Sequence, residues 1–317
     1  MQTLKNLLKA REIVIFFVVL LMFIVMCFAS PYFLSGSNLL AVLLNMSLDA
    51  IMVVGMVNLM VSGGFDMSVG STLALSGTIT ALLLRANVPI PICCVGGLCT
   101  GALVGLFNGF CVARLGIVPF VTTLASQSMA RGLVLVMSGG KNLSVSTSSF
   151  CAIGQARLGP VQLPVIYMII IVVIGAVLLS KSRFFRQNYY IGGNRKAAQL
   201  SGIHVSRMTL VNYVIMGVLA GFAGIVMSAR LGAASTTAGV GNEMKVITAV
   251  IIGGASMSGG EGTIVGGFLG CVLMALISNA MTLLNVSVYW QTFITGFTLL
   301  VAVLIDCLSK MRREKNG

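Results

Sequence analysis

The chain has 317 residues, 57% of them hydrophobic and only 9% charged, with a mean hydropathy of +1.04 and a formal net charge of +13. A soluble globule carries about 25% charged residues, so this composition excludes one and places the chain in a bilayer. No G-x-x-x-x-G-K-[ST] run is present, which excludes a P-loop nucleotide site, and no His, Asp and Ser set or paired carboxylates suggest hydrolysis, so the chain does not read as an enzyme.

Crossing ~30 Å of hydrocarbon takes about 20 helical residues. Apolar runs of that order recur at 13–30, 39–61, 69–84, 90–112, 117–137, 163–180, 209–228, 244–256, 263–283 and 288–306. The expected fold is all-α, a polytopic integral membrane protein of about ten transmembrane helices forming a single domain over residues 1–317. The short third and eighth runs could be re-entrant.

The first run follows a basic head, Lys5, Lys9 and Arg11. Its long apolar stretch and the lack of an A-x-A site favour an uncleaved first helix over a signal peptide. The second run carries Asn45, Ser47, Asp49 and Asn58, and it breaks at Ser62-Gly63-Gly64-Phe65-Asp66-Met67-Ser68. Asp66 and Ser68 are placed to accept from the free N–H groups of the third helix, the favoured reading; the alternative is a carboxylate beside a broken run that faces a cavity. A helix start at membrane depth is tolerated only against protein or water, so the break is expected to border the pathway.

In the fourth run Gly101, Gly105 and Gly109 recur every four residues on one face, as Gly217, Gly221 and Gly224 approximately do in the seventh, a spacing suited to close helix packing. Asn108, Thr122, Thr123, Ser126, Gln127 and Asn279 add hydrogen-bonding groups inside predicted spans, either lining a polar lumen or joining helices. Asp49 and Arg131 are the costly residues, since a centred charge costs about 2.5–3.5 kcal/mol on insertion scales. At ~1.5 Å per residue their depths differ by only about 6 Å, so they could pair, or each could bond separately to backbone carbonyls and polar neighbours.

Residues 181–208 form the only long basic segment inside the chain. Gly192, Gly193 and Asn194 read as a turn and helix start, Ala197, Ala198 and Leu200 as a short helix, and Ser201 and Gly202 as its stop. The alternative is an interfacial helix resting on lipid headgroups. Later, Gly253-Gly254-x-x-Met257-Ser258-x-Gly260 echoes Gly63-Gly64-x-x-Met67-Ser68-x-Gly70, each after an apolar run, which suggests duplicated halves with corresponding broken segments. These two breaks are expected near the cytoplasmic side of the pathway. Tyr289 and Trp290 open the last run and read as an interfacial belt.

Of the twenty Lys and Arg residues, fourteen fall on one side of an even-span topology and five on the other, with Arg131 inside a span. Both termini are therefore expected in the cytoplasm. Anionic lipid accounts for the net charge, and nucleic acid need not be invoked. The eight cysteines, mostly within spans, and the single His204 support neither a disulfide framework nor a metal site.

Three stretches carry a family resemblance. Gly64-Phe65-Asp66-Met67-Ser68-Val69-Gly70, the segment from Gly192-Gly193-Asn194 through Ala197-Ala198 to Leu200-Ser201-Gly202-Ile203, and Ala249-Val250-Ile251-Ile252-Gly253-Gly254 through Ser258-Gly259-Gly260-Glu261-Gly262 occur in this order. In them, and over nearly its whole length, the chain resembles the sugar-type permease subunits of bacterial ATP-binding cassette importers, of the ribose permease kind. Arg131 with Gly132 fits the same pattern, whereas an acidic residue at position 49 is less typical.

The resemblance implies an inner-membrane permease that pairs with a second permease subunit, identical or related. Sugar would come from a periplasmic binding protein, and the drive from a cytoplasmic ATPase that holds the ATP and magnesium. This chain would bind no cofactor of its own. Residues Gly193, Asn194, Ala197, Ala198, Leu200, Ser201 and Gly202 would carry the ATPase's movement. Asn45, Asp49, Asp66, Ser68, Asn108, Gln127, Arg131 and Asn279 are the pathway candidates. The external loop 138–163, with Lys141, Ser144, Ser146, Ser148, Arg157 and Pro160, would help seat the binding protein or serve as a solvated gate. Alternatives are an ion-coupled secondary transporter using Asp49, or an importer permease for a nucleoside or amino acid.

Overall fold

The computed structural model describes residues 11–145 and 147–316. Lys5, Lys9 and Ser146, and the side chains of Arg11, Lys310, Arg312, Arg313 and Lys315, lie outside the described residues. In chain order the first half contains α1 (Arg11–Ala29), α2 (Gly36–Val61), α3 (Val69–Arg85), α4 (Ile90–Ala113), α5 (Pro119–Ser138), β1 (Leu143–Ser144) and α6 (Ser148–Gln155). There follow β2 (Arg157–Leu158), β3 (Val161–Gln162), α7 (Leu163–Lys181), α8 (Arg183–Gly193), α9 (Arg195–Leu200), α10 (Val205–Leu231), β4 (Ala233–Ala234), α11 (Asn242–Ile252), α12 (Ile264–Leu283) and α13 (Val288–Asn316).

Every one of the ten apolar runs is a helix, and the protein is a multi-pass, all-α membrane protein. Among the described residues, eight helices are long and apolar enough to cross a membrane. The exceptions are α3, with 17 residues, and α11, with 11. At ~1.5 Å per residue α11 covers about 16 Å, roughly half the hydrocarbon.

Helix boundaries follow local chemistry. Ser35, Asn194 and Thr263 cap α2, α9 and α12 by accepting the amides of Asn38, Ala197 and Gly266. Prolines stand in the first turn of α4, α5 and α7, where a missing N–H costs nothing. The loop 138–163 is more ordered than a plain connector. It carries α6, the β2–β3 hairpin with Arg157 opposite Gln162, and β1, which pairs antiparallel with β4 so that Leu143 faces Ala234.

Two helices organise the bundle. From Met46 to Val61 nearly every residue of α2 is buried, so this helix reads apolar all round, as a fully enclosed one must. It packs against α7, α10, α11 and α12. The most extensive interface is between α4 and α10. There Gly101 faces Gly217, and Gly105 faces the Tyr213 carbonyl, so closely that a methyl group at either would overlap backbone atoms. The four-residue glycine spacing thus marks a real crossing, in which small residues let two backbones touch. The outer helix α1 packs mainly on α12 and α13 mainly on α11, and Trp290, Phe293 and Phe297 of α13 form an exposed aromatic row.

Candidate functional site

The two broken segments meet. At the end of α2 the Val61 carbonyl accepts the Gly260 amide at 2.8 Å, and a side chain on Gly259 would lie 3.0 Å from the Gly63 backbone. The basic segment joins them. Gly192, near the end of α8, is wedged between the Val61 carbonyl and the Gly260 amide with no room for a Cβ. Tyr189 donates to the Gly262 carbonyl at 2.7 Å. Burial, with the Glu12 carboxylate nearby, pushes the Tyr189 phenol up against the opposing effect of Arg186, so the donor stays protonated at neutral pH. Buried Asn188 and Asn212 exchange hydrogen bonds, and Asn212 donates to Ser62 Oγ at 3.2 Å.

Beyond this junction the chain turns into α9. Asn194 caps it and Gly202, at φ +83°, follows its end, as the sequence leads one to expect. The α8 helix itself is a departure from the sequence expectation, in which the Ser182 to Arg186 stretch reads as a basic loop. Ala198 is buried with Ile191, Val205 and Met208, while Leu200 is 90% exposed.

Asp66 lies in a closed cluster at the first break. It is 2% exposed. Its Oδ1 accepts from the Ser68 amide at 2.7 Å and from Ser68 Oγ at 2.6 Å. Asn108 on α4 donates to Ser68 Oγ at 3.0 Å and to Asp66 Oδ2 at 3.4 Å. The expected cap is corrected in detail. Asp66 closes an Asx turn ahead of α3, and the Ser68 hydroxyl is spent on Asp66, so it caps no amide of the helix.

Asn45, Asp49 and Asn279 come together instead. They line a cavity of about 270 Å³ between α2, α11 and α12, together with Asn38, Ser278, Thr282 and Lys245. Asn38 and Asn279 exchange side-chain hydrogen bonds at 3.2 and 2.7 Å. Arg230 of α10 donates to Asn45 Oδ1 at 2.8 Å. Since Asn38 is near the start of α2 and Thr282 near the end of α12, the cavity runs inward from the end opposite α9, and Asp49 lies deepest along α2.

Gln127 and Arg131 belong to a third group. Arg131 does not pair with Asp49. It donates to the carbonyls of Thr236 and Ala238, each at 2.9 Å, and so holds the segment that leads back into the bundle toward α11. Gln127 donates to Glu243 Oε1 at 3.0 Å. Glu243, in the first turn of α11, is buried, and its Oε2 has no hydrogen-bond partner. It faces Gly70, where any side chain would run into it. Sequence reasoning missed both Glu243 and Lys245 as site residues. The available signal was the Gly239-x-Gly241 pair just before the short eighth run, a break like the other two.

Broken segments, a central polar junction and an inward-running polar cavity within an all-α bundle define a membrane permease. Residues 38–303 match the family described as branched-chain amino acid transport system / permease component, and the chain belongs to it. It is 33% identical to the ribose import permease protein of Haemophilus influenzae, over 92% of this chain and 91% of that one. Identity to the Bacillus subtilis ribose import permease protein is 36%, covering 89% and 88% of the two chains. For the D-allose transport system permease protein of Escherichia coli it is 35%, covering 92% and 90%. No solved structure matches the chain.

Proposed function

We propose that this chain is the membrane-embedded permease subunit of an ATP-driven importer for a sugar or sugar-like polyol. It works in the bacterial inner membrane with both termini in the cytoplasm. A periplasmic binding protein delivers solute, a cytoplasmic ATPase holds the ATP and magnesium, and a second permease copy or relative completes the complex. The relatives' names, ribose, D-allose and L-arabinose, support the sugar class over the amino acid in the family description. The observation that carries the mechanism is the junction: Gly192 and Tyr189 of the basic segment bear on both broken segments, beside a helix whose Leu200 is left bare. ATPase motion received at Asn194, Ala197, Ala198, Leu200, Ser201 and Gly202 and passed through Gly193 would shift the ends of α2 and α11 and so bias alternating access.

In the cavity, Asn45, Asn279 and the hydroxyls of Ser278 and Thr282 suit weak, exchangeable bonds to a polyol. Asp66, Ser68, Asn108, Gln127 and Arg131 position the broken backbone rather than touch solute. An ion-coupled transporter would need Asp49 to bind a cation, and Lys245 already supplies one in the same cavity. The test is Leu200→Asp. Because this side chain is almost fully exposed, the variant should reach the membrane at parental levels yet lose co-purification with the partner ATPase. Retained co-purification would remove α9 from the coupling path.

A further inference from the structure

The stretch 253–263 between α11 and α12 contains the second break and is held from several directions. Two of these, the Val61 carbonyl and the Tyr189 hydroxyl, are part of the junction. The others come from α1 and α13. Glu12, in the first turn of α1, accepts from Thr263 Oγ1, and that same hydroxyl oxygen accepts the Gly266 amide and caps α12. Asp306, on α13, accepts from Ser256 Oγ at 3.2 Å and from the Met257 amide at 3.3 Å.

Both carboxylates are half-buried, and both stand on helices that otherwise expose broad apolar faces. In a bilayer such faces gain little from each other, because lipid is as apolar as a neighbouring helix. Directional hydrogen bonds to a carboxylate are stronger than neutral ones and fix a position along the helix axis. The α11–α12 loop therefore has one charged tie to α1 and one to α13.

We propose that Glu12 and Asp306 are positioning residues for energy coupling: they bind α1 and α13 to the α11–α12 loop, so that a displacement arriving through α8 moves the loop and both helices as one body. This rests on the importer function proposed above. The neutral amides glutamine and asparagine offer an acceptor oxygen at the same place, whereas alanine offers none.

The experiment uses proteoliposomes holding the complete complex, and it measures ribose imported per ATP hydrolysed, with arabinose and allose as further probes. Glu12→Ala and Asp306→Ala should each hydrolyse ATP but lower that ratio about fivefold or more, as loss of a coupling contact does. Glu12→Gln and Asp306→Asn should restore most of it. A parental ratio in the alanine variants, or amide variants as impaired as the alanines, would overturn the proposal.

Should the alanine variants fail to reach the membrane, a Glu12→Cys and Thr263→Cys pair decides. A body that moves as one keeps its uptake when the pair is oxidised. Uptake that stops on oxidation and returns on reduction would show relative motion and overturn it. Failure of the importer reading is seen separately, as absence of ATP-dependent uptake in the parental complex before any variant is compared.

Discussion

Arg131 illustrates what a sequence conveys about a charge inside a membrane. Its cost demands a partner, and depth along the chain makes Asp49 available. Depth says nothing of the direction around each helix axis, and that direction separates them. Asp49 faces α11 and α12, while Arg131 reaches the carbonyls of Thr236 and Ala238. Removing the guanidinium in Arg131→Met should cost about 1.5–3 kcal/mol, the range for bonds to charged groups, and leave buried Glu243 without its neighbouring cation. Lower thermal stability and faster hydrogen exchange across 235–241 are expected. The double reversal Asp49→Arg with Arg131→Asp should regain nothing over the single variants; recovered uptake would mean that the two pair during transport. Glu243 escaped notice because one acidic residue before an apolar run has no periodicity to betray its burial.

Among elements, composition conveyed the runs, and glycine spacing conveyed one true interface. Gly101 and Gly217 meet because each leaves a backbone carbonyl room that any Cβ would fill. Gly101→Leu should push α4 from α10 and cost about 1–3 kcal/mol or more, as overpacking does, which a melting curve in detergent would register. The glycine pair that closes α8 behaves unequally. A side chain at Gly192 collides with the Val61 carbonyl and the Gly260 amide, whereas one at Gly193 meets nothing within 4 Å. Gly192→Ala is expected to impair uptake severely and Gly193→Ala to be tolerated; equal effects would place the critical contact elsewhere. Sequence alone read both as a turn, since Ser182 to Arg186 obscured α8 behind its charges. The half-length of α11 was legible as a short run, but the close approach of Gly239 to Gly70, which sets where α11 starts, links residues far apart in the chain.

For the whole molecule, the ten apolar helices and the echo of glycine-rich breaks could be read directly, because hydropathy and motif are local properties; the number that cross could not, and among the described residues eight are long and apolar enough to do so. That the two breaks touch, and that the basic segment closes over both, depends on long-range packing that no window reveals. This contact is the observation on which the proposed coupling to an ATPase rests. The decisive measurement is uptake of ribose, arabinose or allose into proteoliposomes containing this chain, the partner ATPase and the cognate binding protein. Uptake that requires ATP and magnesium on the α9 side and binding protein on the other is the expected result. Uptake that proceeds without ATP and follows an imposed proton or sodium gradient would contradict it and return attention to Asp49.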